Sequence, residues 1–215
     1  MEKTNKEMRY ALLQANQYNV ENAKKCYDFV QGKLEPFGET EPESKQEGIY
    51  LIYDDGRAEL FTGTNGQNGV KYVGVVFQSH RFAVSLTETK EAALLPGDKK
   101  ATKRPDCYKN ECEAIYDFDS AGNTAKLLQD NPRLTELLKE GEAIPALGIL
   151  VIMCYLRKGI NKALEYAGGQ PLTDNDYWSS TEDSEGIAWG VYFSTGNSWL
   201  NGKFYGYAVR AVAAF

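Results

Sequence analysis

The sequence predicts an α+β fold, with strands at both ends of the region after residue 47 and helices between them. Three observations carry this. Two hairpin patterns occupy residues 49–61 and 72–86, and a mostly apolar helical stretch runs over residues 146–167. Near the C-terminus Trp189, Val191 and Phe193 alternate with Gly190, Tyr192 and Ser194, the period-two pattern of a strand with one core face and one display face.

In chain order, residues 4–30 suit an amphipathic helix, because Met8, Leu12, Ala15, Tyr18, Ala23, Cys26 and Val30 recur at three- to five-residue spacing. Gly32 and Pro36 end it, and the acidic stretch that follows, with Pro36 and Pro42, is expected to be an exposed linker to residue 47. Two readings of this helix stand side by side: an arm packed on its own domain, or a self-association element that builds a homo-oligomer. Residues 48–215 are then expected to form one domain. In the first hairpin, Asp54-Asp55-Gly56 supplies a turn that tolerates positive φ. In the second, Gln78-Ser79-His80 makes the turn, so the chain's one histidine is read as a surface turn residue with no catalytic task.

Residues 90–110 are polar and broken by proline, which predicts a long loop with Lys99, Lys100, Lys103 and Arg104 on a solvated face. A helix over residues 121–128 follows, continued by a second turn over 134–139 after Pro132. The helix over 146–167 is apolar nearly all round in its first half, so it belongs in a core against a sheet. It stops at Gly168-Gly169.

Composition excludes several functions. A net charge of −6 with mixed signs gives no basic footprint for nucleic acid. No apolar run reaches the length of a membrane span and no signal-peptide pattern opens the sequence, so the expected location is a virion or the cytoplasm. Cys107 and Cys112 have no second pair and only His80 to join them, which leaves a four-ligand metal site incomplete. Cys154 lies in the apolar helix and reads as a small buried hydrophobe. No metal and no cofactor are expected.

The segment Ile144-Pro145-Ala146-Leu147-Gly148, then Ile160 to Leu164, Gly168-Gly169, Pro171-Leu172, Tyr177-Trp178-Ser179-Ser180-Thr181-Glu182, Ala188-Trp189 and the tail from Val209 to Phe215 resemble the C-terminal domain of variable proteins from diversity-generating retroelements. Such proteins are found in gut Bacteroides-type bacteria and their phages. The resemblance is close over about the last seventy residues, and looser over the hairpins and residues 117–124. It implies a C-type-lectin-like domain with a mixed sheet and two packed helices, preceded here by the N-terminal helix. It also implies ligand binding rather than catalysis, through surface codons diversified by randomising template adenines.

The diversified region is expected at residues 183–208, and within it the aromatics and small polar residues of 197–208 match the composition of antibody binding loops. The expected ligand-binding residues are Gly190, Tyr192, Asn197, Ser198, Trp199, Leu200, Asn201, Phe204, Tyr205 and Tyr207. An asparagine codon randomised at its adenines reaches Gly190, Tyr192, Asn197, Ser198, Leu200, Asn201, Gly202, Phe204 and Tyr205, but not Trp199 or Glu185. The expected ligand is a protein or glycan on a cell surface, as for a phage attachment protein.

Three rivals remain for comparison. A calcium-dependent sugar lectin would use oxygens such as those of Asp174-Asn175-Asp176, but no Glu-Pro-Asn or Gln-Pro-Asp triplet is present. An enzyme of the formylglycine-generating type needs a C-terminal cysteine pair, and only Cys154 lies beyond residue 112. A fixed adhesive or structural subunit, or a calcium-independent glycan-binding lectin, is the alternative kept beside the diversified binder.

Overall fold

The computed structural model describes residues 46–215 apart from Asp98, Lys100, Pro105 and Asp106. These residues belong to one compact unit, separate from residues 1–45. The expected N-terminal helix and nearly all of its linker lie outside the described residues.

The strands form two sheets rather than the single mixed sheet expected. The first has the order β2-β1-β3-β4-β11-β6 and is antiparallel throughout. Its members are β1 (Gly48–Tyr53), β2 (Ala58–Leu60), β3 (Val70–Phe77), β4 (His80–Ser85), β6 (Glu142–Ala143) and β11 (Val212–Ala213). The second has the order β5-β10-β7-β8-β9, and β10 runs parallel to β7. It comprises β5 (Thr89–Ala92), β7 (Asp176–Glu182), β8 (Ile187–Tyr192), β9 (Ser198–Gly202) and β10 (Tyr207–Val209). The tail moves from one sheet to the other between β10 and β11. That switch is held by Arg210, whose fully buried guanidinium donates to the carbonyls of Ser85 and Gln170 and to Glu88 Oε2, each at 3.0 Å.

Both hairpins form as the turn residues dictate. Gly56 adopts φ 86° in the β1–β2 turn, and Gln78 takes the left-handed φ of 52° in the two-residue turn between β3 and β4. His80 is the first residue of β4 rather than a free turn residue, and its ring stacks on Phe118 at 3.8 Å between centroids. Burial pulls its imidazole pKa below the usual value.

The helices are α1 (Glu111–Ala114), α2 (Ser120–Asp130), α3 (Leu147–Tyr155) and α4 (Arg157–Tyr166). Asp119 caps α2 by accepting from the Gly122 amide at 2.8 Å. Pro132–Leu137 is a 3-10 helix where a second α-helical turn was expected. The long helix expected over residues 146–167 is two helices, broken at Leu156. The break has a packing reason. Apolar α3 lies on β7 and β8 while amphipathic α4 lies on β1 and β3, so the change of direction lets one continuous segment cover both sheets. Gly168 ends α4 with φ 73°, as expected.

Two main cores result. The larger holds Leu51, Val73, Val84, Leu150, Met153, Ile160, Tyr177, Trp189, Val191 and Phe193, and so joins both sheets to α3 and α4. The second gathers Leu94, Leu127, Leu134, Ile144, Trp178, Ala188, Trp199 and Val209 on the opposite face of the five-stranded sheet. Trp178 and Trp199, 4.8 Å apart between centroids, are its largest members.

Arg104, expected on a solvated face, is instead bound inside. Its guanidinium donates to both oxygens of Glu182 at 2.8 Å, to Asp130 Oδ2 at 2.7 Å and to the Lys126 carbonyl at 2.6 Å. Lys203 reaches the same Glu182 carboxylate from the other side. Three elements meet there: α2 through Asp130, the end of β7 through Glu182, and the segment after β9 through Lys203. A lone basic pair in a polar stretch gave no sequence signal of this, because its acidic partners lie 26 and 78 residues away.

Candidate binding surface on the five-stranded sheet

Strand registers fix which residues share a face. Asp176 pairs with Tyr192 and Trp178 with Gly190 between β7 and β8, and Gly190 pairs with Trp199 between β8 and β9. Ala208 pairs with Tyr177 in the parallel β10–β7 match, which sets Tyr207 abreast of Asp176. Abreast residues point to one side of a sheet and alternate residues return to it. Asp176, Trp178, Ala188, Gly190, Tyr192, Trp199, Asn201 and Tyr207 therefore share one face. Tyr177, Trp189, Val191 and Leu200 belong to the other.

On the first face the inner part is closed by the second core. The outer part is an aromatic strip. Ring centroids run from Tyr192 to Trp199 at 5.6 Å, Trp199 to Tyr207 at 4.6 Å, Tyr207 to Tyr205 at 6.5 Å and Tyr205 to Phe204 at 4.4 Å. Exposure rises from Tyr192 at 39% to Tyr205 at 48% and Phe204 at 55%. Rings of this kind offer contact area while losing little rotamer freedom on binding.

Most of the expected binding residues reach the surface. Asn197, Leu200, Phe204, Tyr205 and Tyr192 are exposed, while Ser198, Asn201 and Tyr207 are half-buried. Ser198 Oγ donates to Glu111 at the start of α1, and Asn201 Nδ2 donates to the Tyr207 hydroxyl at 2.6 Å. Leu200 faces the side opposite the strip and is open because β9 is an edge strand.

Gly190 and Trp199 do not belong to the display surface. Trp199 is 7% exposed and packs its ring across Gly190, against Trp178. A Cβ on Gly190 would lie 2.6 Å from the Tyr177 carbonyl oxygen and 2.7 Å from Trp199 Cε2, so any side chain there would displace backbone. The alternation along β8 sets Gly190 and Tyr192 on the face opposite Trp189 and Val191, but only Tyr192 is open there: the expected display face is closed at Ala188 and Gly190 by the second core, because Trp199 folds over the glycine.

Asp174 and Asp176 part company. Asp174 accepts from Arg157 at 2.6 Å. Asp176 stands between Tyr192 and Tyr207, and its carboxylate has no hydrogen-bond or ion-pair partner among the described residues. Burial alone pushes its pKa up. The Tyr207 hydroxyl is pushed up as well, first by burial, with the Tyr192, Asp176 and Tyr205 oxygens adding to it and the Asn201 hydrogen bond opposing it. Asp176 was missed as a surface residue because its Asp-Asn-Asp context reads as turn chemistry.

No protein-family model and no curated protein matches the sequence. Among solved structures the chain is similar to a fimbrial protein from Bacteroides ovatus ATCC 8483, with a TM-score of 0.58 and 14% identity, over 79% of this chain and 49% of that one. The likeness is one of fold. The chain thus spans about half the length of the fimbrial protein.

Proposed function

We propose that the protein is a recognition module that binds a protein ligand on a cell surface through the aromatic strip and the β9 edge, without catalysis. The observation that carries this reading is the separation of roles on one sheet face: Trp178, Gly190 and Trp199 lock the backbone, while Tyr192, Phe204 and Tyr205 stand open beside them. A surface mounted in this way accepts substitution without loss of the fold. On this reading the scaffold is C-type-lectin-like, and diversification falls on Tyr192, Asn197, Ser198, Leu200, Asn201, Phe204 and Tyr205, with Gly190 and Trp199 kept constant.

A fixed adhesive subunit is the second reading, favoured by the fold shared with a fimbrial protein. The two differ in gene context: a reverse transcriptase gene and a template repeat matching the gene's tail except at adenines would accompany only the diversified binder. Both predict binding without calcium, since the Asp174 carboxylate is engaged by Arg157. The test is binding of labelled full-length protein to a panel of intact bacterial cells, measured by flow cytometry. Saturable, chelator-resistant binding is expected, and replacing Tyr192, Leu200, Phe204 and Tyr205 together by Ser should abolish it while the melting temperature stays within a few degrees. Binding that survives those substitutions, or a variant that unfolds, would refute the surface assignment.

A further inference from the structure

The row Tyr192, Asp176, Tyr207 crosses three adjacent strands and sets a carboxylate between two tyrosines on a single face. Below it the Trp199 ring closes the floor, 5.6 Å from Tyr192 and 4.6 Å from Tyr207 between centroids. Nothing among the described residues neutralises the carboxylate. Arg157 is committed to Asp174 and the Phe193 carbonyl, and Lys203 to Glu182 inside the protein. The faces of tyrosine and tryptophan rings carry negative potential, so three rings around one carboxylate attract positive charge doubly, by the charge and by the ring quadrupoles. Asn201 holds the Tyr207 hydroxyl as an acceptor, which leaves the phenolic proton free to donate outward.

We infer that this row is a subsite for a basic side chain, an arginine or lysine, presented by the protein ligand. A guanidinium seated there would donate to Asp176 and lie over the Tyr192 or Tyr207 ring, giving a charge-assisted hydrogen bond and a cation–π contact at once. A neutral sugar would stack on the rings but would leave the partly buried charge uncompensated. The inference rests on the recognition reading of the same face and adds the chemistry of its ligand.

The experiment titrates isotope-labelled full-length protein with N-acetyl-arginine amide, with N-acetyl-citrulline amide as the neutral analogue of the same shape, and with methyl glycosides. Saturable shifts of the Asp176, Tyr192 and Tyr207 amide signals are expected with the arginine probe, at least tenfold weaker with citrulline. Asp176→Asn should remove that preference without lowering the melting temperature. Equal responses to arginine and citrulline, an unaffected Asp176→Asn variant, or shifts of these signals by glycosides alone would overturn the inference. Failure here can be told from failure of the broader reading: cell binding that still depends on Tyr192, Phe204 and Tyr205 keeps the recognition surface and discards only its basic ligand.

Discussion

Strand β7 begins and ends on a carboxylate, and the two are treated in opposite ways. Glu182 at its end is buried and bound by Arg104 and Lys203. Asp176 at its start is half-buried and has no partner among the described residues. The first arrangement is what a scaffold requires, because a buried charge is tolerable only when compensated. The second costs stability and gives the fold nothing in return, which is characteristic of a group kept for a ligand. Seven residues of one strand thus join a compensated carboxylate to an uncompensated one.

The largest effect that would break this contrast is expected at Glu182. Glu182→Ala leaves two buried cations facing each other, and should cost about 3–5 kcal/mol in chemical denaturation, as for removal of one partner from a buried pair. A loss under about 1 kcal/mol would place the cluster on the surface instead. Gly190→Ala comes next, at about 1–3 kcal/mol, since the added methyl meets the Tyr177 carbonyl and has no flexible neighbour to displace there. A neutral outcome would show that the Trp199 ring and the Tyr177 carbonyl can both move aside, and would return Gly190 to the open surface.

Acid titration should separate the two kinds of carboxylate. Burial raises the Asp130 pKa, but hydrogen bonds from Thr102 and Arg104 outweigh it and hold the carboxyl below its usual value. Its contribution to stability is therefore present above the unfolded-state pKa and lost as pH falls through the folded one. Asp176 behaves oppositely. Its folded pKa is raised, so ionisation opposes folding, and stability recovers as pH falls through that value. Asp176→Asn should accordingly leave the melting temperature at pH 7 unchanged or slightly higher, the smallest effect of the series. A clear drop would mean that the carboxylate has a structural partner.

Much of the fold was legible because it depends on local patterns. The Asp-Gly turn and the glycine stop after Ala167 act over a few residues and formed as read, and the alternation put Trp189, Val191 and Phe193 in the core, though Ala188 and Gly190 on the opposite face are buried as well. The break at Leu156 was not legible, since it answers to the position of two sheets rather than to any breaker residue. Nor was the burial of Arg104. For the candidate surface, composition located Tyr192, Leu200, Phe204 and Tyr205 at exposed positions, but could not tell an aromatic that displays from one that packs. That distinction is made by Gly190, whose missing side chain admits the Trp199 ring, and by the parallel pairing of β10 with β7, which brings Tyr207 beside Asp176.

The most direct test of the division between scaffold and display is saturation mutagenesis at six positions of the full-length chain, with protease resistance as the measure of folding. Most substitutions at Tyr192, Leu200, Phe204 and Tyr205 should keep stability within about 1 kcal/mol of the parent, as for exposed sites, whereas nearly every substitution at Gly190 and Trp199 should fall below it by more than that. Broad tolerance at Trp199 together with unfolding from changes at Phe204 and Tyr205 would contradict the account.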